Sequence, residues 1–427
     1  MQDLVIVESK KGKVRIAVLA AAGLSVLFCW FAVRWQLGDM LASLTGPNDP
    51  NAVDIAAMSN GLAPSDPVAK WLKAAVGSDA GEQPQTVIGY YEDVVRSAPF
   101  DYLWRIEIGR AYEQEGMTDQ AEDQLKKAVE LAPNYSFPHW HLGNFYLRQK
   151  RNDEAIAELK KAAENNQSYR DQVFSLVWDI FDRDPAVVES MAGTRTEAKA
   201  RLAYFFAARG QAVDSLRNWN QLTDDQKAAN PDTAKAIAHG LFLQHSYPQS
   251  LEFARQLGID ADAKPETITN GSFEKGLGDD KDSRFGWVLV RNDPKFEVAA
   301  ESKVKHEGER SLKITFRTFV KPALTNLFQT VVVEPNKRYR LTFWVRTENL
   351  KSAGGPLVEI INANDDKLIG RSQTLPTGSN EWQQMFVDFT SPENCNGITI
   401  RTARAYCGEE CPITGVFWYD DFAIERQ

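Results

Sequence analysis

Between residues 85 and 168 the chain repeats small, aromatic and apolar residues at intervals of 34 positions. The residues that recur at this interval are Gly109 and Gly143, Tyr112 and Tyr146, Ala121 and Ala155, Leu125 and Leu159, Ala128 and Ala162, and Pro99 and Pro133. This period is typical of a pair of antiparallel helices repeated along a solenoid. Because a single hairpin cannot bury its own apolar face, neighbouring copies must stack. The spacing therefore predicts a helical repeat array.

The order of small, aromatic, alanine and proline positions resembles that of the tetratricopeptide repeat. We expect a solenoid of this kind over residues 66–262, with more divergent copies after residue 168. The family usually binds peptides or partner proteins in a groove lined by the first helix of each pair. The positions that match this lining are Arg110, Glu113, Trp140, Asn144 and Arg148. For each of these residues, an ordinary solvated polar surface is the alternative.

An uncharged apolar run from Ile16 to Val33 precedes the repeats. As a helix, a run of about 18 residues spans about 27 Å, just enough to cross the hydrocarbon core of a bilayer. No small residues follow the run where a signal peptidase requires them, and Phe28 precedes Cys29, where a lipoprotein signal has a small residue. We therefore predict an uncleaved transmembrane anchor over residues 16–34 rather than a cleaved signal peptide.

The two flanks of the apolar run differ in charge and in composition. Basic residues crowd the N-terminal flank at Lys10, Lys11, Lys13 and Arg15, so residues 1–15 are predicted to be a cytoplasmic stub. The rest of the chain then lies outside, which in a bacterium is the periplasmic side of the inner membrane. Residues 35–65 are predicted to be a linker, because positions 45–65 are rich in Pro, Asn, Asp, Gly and Ala without a sustained period.

After Pro265 the helical periodicity ends, and short runs of β-branched and aromatic residues follow. These runs are Phe296–Ala299, Ser311–Phe316, Asn326–Val333, Arg338–Arg346, Leu357–Ile361, Gln383–Phe389, Gly397–Arg401 and Val416–Ile424. Their spacing predicts an antiparallel β-sandwich or jelly roll over residues 263–427. The residues expected to supply much of its core are Trp287, Trp344, Trp382 and Trp418. The predicted fold class is multidomain, with a transmembrane helix, an all-α solenoid and a C-terminal antiparallel β-sandwich.

Five motifs of this C-terminal region resemble, in order, those of CenC-type carbohydrate-binding modules of the galactose-binding-like group. They are Asn270–Glu274, Gly286–Trp287, Gly308–Leu312, Tyr339–Trp344 and Trp418–Ile424. The resemblance implies glycan contact, for which aromatic faces and planar polar groups are needed. The candidate residues are Trp344, Arg346, Gln373, Arg401 and Tyr406. A place in the core or on an ordinary surface is the alternative for each.

The same resemblance implies a structural calcium ion where the first and last strands of the module meet. Glu274 and Asp420 are the matching carboxylates, with backbone carbonyls from Ser272 and Glu307. Calcium prefers several hard oxygen ligands, which such a set would supply. Asp420 is preferred over the next residue because it has the parity of the apolar residues that follow, and so is expected to point inward. A hydrogen-bonded carboxylate pair without a metal is the alternative.

The four cysteines are too few for a disulfide scaffold, and none of them forms a CxxC pair. An oxidising compartment permits one disulfide among Cys395, Cys407 and Cys411. Cys407 with Cys411 is the simplest pairing, and pairing of Cys395 with either of them stays open.

Charge and motifs exclude several functions. The net charge of −9 argues against a nucleic-acid binder. Neither a GxSxG, an HExxH, a Walker-type nor a Rossmann motif is present, so no enzyme is predicted. Glu359, Asp365 and Asp366 leave a glycosidase-like carboxylate pair as an alternative. The prediction is a membrane-anchored periplasmic adaptor that binds a partner protein and a glycan, in envelope polysaccharide synthesis or export. A purely structural subunit of an envelope complex is the rival hypothesis.

Overall fold

The computed structural model describes residues 12–164, 166–193, 195–277, 282–290, 296–316, 324–408 and 411–427. The chain divides into two compact units, Met1–Gly193 and Thr194–Gln427. The first unit is helical, and the second combines helices with two antiparallel sheets. The predicted fold class, a helical region that includes one long apolar helix and precedes an antiparallel β-sandwich, is confirmed. Residues 1–11, most of the predicted cytoplasmic stub, lie outside the described residues.

The helices of the first unit are joined by short connections. They are α1 (Gly12–Ser43), α2 (Ala52–Leu62), α3 (Pro67–Ala75), α4 (Pro84–Ser97), α5 (Tyr102–Gln114), α6 (Thr118–Leu131), α7 (Ser136–Arg148), α8 (Asn152–Glu164), α9 (Gln167–Ile180) and α10 (Pro185–Ala192). Two helix pairs, α5 with α6 and α7 with α8, carry the 34-residue repeat. A Cβ atom on Gly143 of α7 would lie 2.8 Å from Cγ of Leu159 on α8. A small residue is therefore required at this repeat position.

Among the described residues, α1 is the one helix that is long and apolar enough to cross a membrane. Its apolar part is exposed throughout, as a helix in lipid would be. A signal sequence near an N-terminus has the same length and composition. The structure therefore provides a helix whose length and composition fit the predicted anchor.

The prediction of an unstructured linker over residues 35–65 is wrong. Helix α1 continues past the apolar run to Ser43, and α2 occupies Ala52–Leu62. Gly38 and Ala42 of α1 are buried, and the core that includes Ala42 joins α1 to α2 and α3. The segment is rich in small residues, which suit both a flexible tether and close helix packing. Composition alone does not separate these two structures.

In the described part of the second unit, five helices precede the strands. They are α11 (Thr196–Ala207), α12 (Ala212–Asn220), α13 (Asp224–Ala228), α14 (Pro231–Leu243) and α15 (Tyr247–Gln256). The ring of Tyr247 lies on Gly397 of the sandwich, and its hydroxyl donates a hydrogen bond to the carbonyl oxygen of Ala363 at 2.7 Å. Phe242 packs edge to face on Phe285, with ring centroids 5.4 Å apart. The predicted domain boundary at residues 262 and 263 thus lies inside one compact unit.

The strands of the described chain form two five-stranded sheets. They are β1 (Val288–Leu289), β2 (Phe296–Glu301), β3 (Ser311–Phe316), β4 (Leu327–Val332), β5 (Arg338–Ser352), β6 (Pro356–Asn362), β7 (Leu368–Arg371), β8 (Gly378–Thr390), β9 (Gly397–Arg404) and β10 (Ile413–Arg426). Sheet I has the order β1-β4-β9-β6-β7, and sheet II has the order β2-β3-β10-β5-β8. Each of the predicted strands coincides with one of these, whereas the sequence pattern does not predict the short β1 and β7.

Alternate residues of both sheets fill the core between them. Trp287 lies in this core, as expected. The same expectation is wrong for Trp344 and Trp382, which are half-buried and outside this core. Trp418 is buried, at 2% exposed, but does not belong to the cluster between the sheets. Because Phe343 is fully buried in the core, strand alternation places its neighbour Trp344 on the outer face of sheet II.

Candidate functional sites

One cavity of about 700 Å³ lies on the first helices of the two central helix pairs. It is lined by Arg110, Glu113, Gln114, Trp140, His141, Asn144, Arg148 and Gln149. All five of the groove residues predicted from the repeat register are in this set. The helix period explains the result, because residues three or four apart on α5 and on α7 share one face of each helix. The remaining three lining residues were not singled out from the sequence.

The charged residues of this groove are paired within the chain. Arg148 binds Glu113 through two hydrogen bonds of 2.7 Å, from Nε to Oε1 and from Nη2 to Oε2. Arg110 makes one contact of 3.2 Å to Glu107. Burial, and to a smaller extent the charges of Arg110 and Arg148, lower the pKa of His141 to about 4. The imidazole is therefore neutral at pH 7.

Aromatic rings continue from the groove across neighbouring helices. Trp140 lies 5.8 Å from Tyr169 of α9, measured between ring centroids. Tyr102 at the start of α5 stacks on Tyr135, with centroids 5.7 Å apart. The side-chain amide of Asn144 donates to the carbonyl oxygen of Trp140 at 2.8 Å, which fixes the amide beside the ring. The groove thus offers aromatic faces next to planar polar groups.

The five glycan candidates do not form one cluster. Trp344 and Arg346 lie on β5 of sheet II, whereas Arg401 lies on β9 of sheet I. Gln373 follows β7, and Tyr406 lies in the loop after β9. The sequence cannot assign these strands to sheets, because sheet order depends on contacts that are distant along the chain.

Trp344 and Arg346 are engaged by other side chains of sheet II. The imidazole of His306 stacks on Trp344 with centroids 3.8 Å apart and an angle of 17° between the rings. One face of the indole is therefore covered and is not open for a sugar ring. Arg346 lies over Trp418 at 5.8 Å and contacts Glu381 at 3.3 Å.

Arg401 provides a polar centre on the outer face of sheet I. Its Nε and Nη2 donate to Oε2 of Glu359 on β6, at 3.0 and 2.7 Å. Phe328 and Glu359 are its register partners on the two neighbouring strands, and Arg371 faces Glu359 from β7. Of the glycan candidates, Tyr406 has the most exposed ring, at 89%. The outer face of sheet I thus combines the guanidinium of Arg401, the carboxylate of Glu359 and the ring of Phe328.

Two of the carboxylates in the glycosidase-like alternative, Glu359 and Asp365, each bind a basic side chain. Glu359 accepts both hydrogen bonds from Arg401, and Asp365 contacts Nζ of Lys367 at 2.9 Å. The hydrogen bond from Lys367 lowers the pKa of Asp365. A general acid needs the opposite shift, because it must hold its proton near neutral pH.

The two predicted calcium ligands approach the same loop from different elements. Oε1 of Glu274 accepts hydrogen bonds from the backbone N–H groups of Glu309 and Arg310, at 2.9 and 3.2 Å. Asp420 accepts one from the N–H of His306 at 2.9 Å. Within the described part of the chain, no three His, Cys, Asp or Glu side chains converge as a metal cluster. A calcium ion held by two carboxylates and carbonyl oxygens stays a prediction.

The parity argument for Asp420 is wrong, although the residue is buried. β10 has a register shift between Asp420 and Ala423, and Asp421 has a positive φ of 49°. This β-bulge reverses the alternation, so Asp420 is opposite Trp344 on the outer side while Phe422 enters the core. The loop at His306 covers the carboxylate, and burial raises its pKa to about 6.

Cys407 and Cys411 form a disulfide, with Cα atoms 5.4 Å apart. Cys395 is buried, and its thiol donates to the carbonyl oxygen of Gly397 at 3.2 Å. Burial raises the pKa of the Cys395 thiol to about 11. This cysteine is therefore an unreactive part of the packing.

Two family models each match one part of the chain. Residues 265–403 match the family model described as a carbohydrate binding domain, and residues 112–177 match the tetratricopeptide repeat model. Among curated proteins, the tRNA nuclease WapA of Bacillus subtilis (strain 168) is 21% identical over 178 residues. The matched region is 40% of this chain and 7% of that protein, so the chain spans a small fraction of this relative's length.

Solved structures resemble one or the other part of the chain. MamA (41-end) from Desulfovibrio magneticus RS-1 is 27% identical over 32% of this chain and 75% of its own, with a TM-score of 0.27. A structure titled "CBM4 structure and function" is 16% identical over 38% of this chain and 99% of its own, with a TM-score of 0.29. By the two family matches, the chain carries tetratricopeptide repeats in its helical part and a domain of the carbohydrate-binding family in its sandwich.

Proposed function

We propose that the protein is a membrane-anchored adaptor of the bacterial envelope. Helix α1 would hold it in the inner membrane, with the N-terminus in the cytoplasm and the helices after α1 and the sandwich in the periplasm. The solenoid would bind a partner protein, and the sandwich would contact a glycan during envelope polysaccharide synthesis or export. Both matched families are non-catalytic module types, which favours binding over catalysis.

The single observation that carries the adaptor proposal is the convergence of five groove positions on one cavity. The rings and planar polar groups lie side by side there, so a bound segment can bury an apolar group and satisfy its backbone at once. The two hydrogen bonds between Arg148 and Glu113 hold these side chains in place before a partner binds.

Site-specific photocrosslinking in native membranes tests the groove. A photoreactive benzoylphenylalanine replaces Asn144 in the groove or, as the matched control, Lys127 on the exposed surface of α6. We expect one discrete protein adduct from position 144 and none from position 127. Arg110→Glu is expected to reduce this adduct about tenfold, which corresponds to about 1.4 kcal/mol. Adducts of equal yield from both positions, or from neither, would contradict partner binding in the groove.

For the glycan, we propose the outer face of sheet I around Arg401. An arginine held by a carboxylate presents fixed donors, and Phe328 supplies an adjacent ring. Binding of the detergent-solubilised full chain to insoluble polysaccharides tests this, with Arg401→Ala compared with Arg346→Ala on the other sheet. We expect Arg401→Ala alone to lose retention. The absence of retention on any polysaccharide would favour the structural subunit.

One observation favours that structural alternative. Tyr247 of α15 packs on Gly397, and the same cluster buries Val332 and Ala363 on the outer side of sheet I. One end of the face is therefore occupied by the chain itself. A sandwich that serves only to hold the helices needs no open face, and the polysaccharide experiment separates the two functions.

A further inference from the structure

A buried histidine connects the two helices of the second central repeat, α7 and α8. His139 of α7 is 3% exposed, and its Nδ1 lies 2.5 Å from Oε2 of Glu158 on α8. Its Nε2 lies 2.8 Å from the carbonyl oxygen of Pro133, which precedes α7. A neutral imidazole has one N–H group, whereas an imidazolium has two. A ring that faces an oxygen acceptor on each side is therefore satisfied as an imidazolium.

The carboxyl group beside this ring is an acceptor, because it is ionised at neutral pH. Nζ of Lys161 donates to Oε1 of Glu158 at 2.9 Å. Burial favours the neutral form of Glu158, but the hydrogen bonds from His139 and Lys161 outweigh burial and lower the pKa of the carboxyl. The carboxylate therefore has no hydrogen to give to a neutral imidazole. In the described part of the chain, the charged side chains that contact the ring or its carboxylate partner are these two residues of α8, and the turn before α7 contributes a carbonyl oxygen.

The preceding repeat makes the same two contacts with an arginine. Nη2 of Arg105 on α5 donates to the carbonyl oxygen of Pro99 at 3.1 Å, and its Nη1 donates to Oε1 of Gln124 on α6 at 2.8 Å. Each of these three residues lies 34 positions before its counterpart in the second repeat. A guanidinium stays charged throughout the physiological pH range, whereas a histidine can change its charge between about pH 5 and 8. The two copies therefore share one geometry, but only the contact made by His139 depends on a proton.

Loss of the ring proton removes one of the two contacts of His139. The folded repeat binds this proton between two acceptors, so the contacts stabilise the repeat fully at low pH and less as the pH rises. Either the carboxylate of Glu158 or the carbonyl oxygen of Pro133 then lacks a donor, which weakens the packing of α7. Trp140 and Asn144 of the groove also lie on α7. The groove is therefore linked to the protonation of a residue outside its lining.

We propose that His139 is a pH-dependent lock of the second central repeat. At low pH the imidazolium fastens α7 to α8 and to the turn before α7. As the pH rises, the loss of one proton releases one of these contacts and loosens α7 together with its part of the groove. The effect of the lock on a bound partner rests on the proposed function of the groove, whereas the lock itself does not.

Hydrogen–deuterium exchange of the solubilised full chain, read by mass spectrometry, measures the opening of each helix. Exchange rates at about pH 5.5 and about pH 8 are each divided by the intrinsic rate at that pH, which gives a protection factor. In the native chain, we expect the protection of α7 and α8 to fall about tenfold between the two pH values, because one buried acceptor loses its donor. The double variant His139→Arg with Glu158→Gln gives the second repeat the residues of the first. Its α7 and α8 should change less than about twofold.

The reverse exchange of residues provides a second, independent variant. Arg105→His with Gln124→Glu should add a fall in protection of similar size to α5 and α6. Equal protection of α7 and α8 at both pH values in the native chain, or an undiminished fall in the first double variant, would overturn the lock. If the first variant does not fold, the lack of an added pH effect in the second overturns the lock by itself. Failure to form a photocrosslinked adduct from position 144 at either pH would contradict partner binding alone, since the exchange rates decide the lock.

Discussion

Gly397→Ala is expected to destabilise the second compact unit, because the added methyl group meets the ring of Tyr247. A Cβ atom at this position would lie 2.5 Å from Cδ2 of the ring and 3.0 Å from two further ring atoms. The ring is buried and its hydroxyl is held by the carbonyl of Ala363, so it cannot move away freely. Overpacking of this kind costs about 1–3 kcal/mol. Alanine also lowers the conformational entropy of the unfolded chain, which stabilises the protein by about 0.4–1 kcal/mol. The expected net loss of stability is therefore about 1–2 kcal/mol.

Urea unfolding of the solubilised full chain, followed by tryptophan fluorescence, measures this loss. Gly89→Ala is the matched control, because nothing lies within 4 Å of a Cβ there and the helical position gains about 0.5–1 kcal/mol from alanine. In a Tyr247→Ala background the clash is absent, so Gly397→Ala should cost less than about 0.5 kcal/mol. Equal costs of Gly397→Ala in the two backgrounds would refute contact with this ring as the cause.

Three further predictions concern charge, metal and redox state. Hydrogen bonding from Arg151 lowers the pKa of Glu122 from 4.5 to about 2, so the ionised form stabilises the fold above pH 4.5, and that contribution is lost as the pH falls toward 2. Glu122→Gln should therefore cost about 1 kcal/mol at pH 7, allowing for solvent screening, and almost nothing at pH 2; urea midpoints that differ equally at both pH values would contradict this. If Glu274 and Asp420 hold calcium, the ion should raise the melting midpoint over that in EGTA, and Glu274→Gln should remove the difference; identical midpoints for the unmodified chain would count against the metal. Cys407→Ser should lower stability by about 2 kcal/mol in oxidising buffer and by nothing in reducing buffer, so an equal loss in both would assign the effect to packing.

The repeated helices and most strands were predictable because their determinants are local. Gly143 and Leu159 recur at the repeat interval and meet in the structure, since the helix period fixes which residues share a face. The alternation through Phe343 likewise identifies a half-buried strand. The groove could be predicted for the same reason, because its residues sit at fixed positions of consecutive repeats.

The predictions from sequence were wrong where tertiary packing, rather than local periodicity or composition, determines the structure. The segment that includes Ala52 and Ala56 was predicted as a linker, but its small residues pack on α1. Parity along β10 failed at Asp421, because a bulge inserts one residue into the ladder. Trp344 was expected both in the core and in glycan contact, whereas the loop at His306 covers its ring.

The amino-acid sequence alone determined that this chain has an apolar helix, a repeating set of helix pairs and a β-sandwich. The reason is that the periodicity of helices and strands depends on residues that are close together in the sequence. Tertiary structure decided which faces of those elements remain open. The seating of Tyr247 on Gly397 joins residues 150 positions apart and closes one end of sheet I. Such contacts depend on the complementary shapes of two folded surfaces, and these shapes cannot be read from any single segment of the sequence.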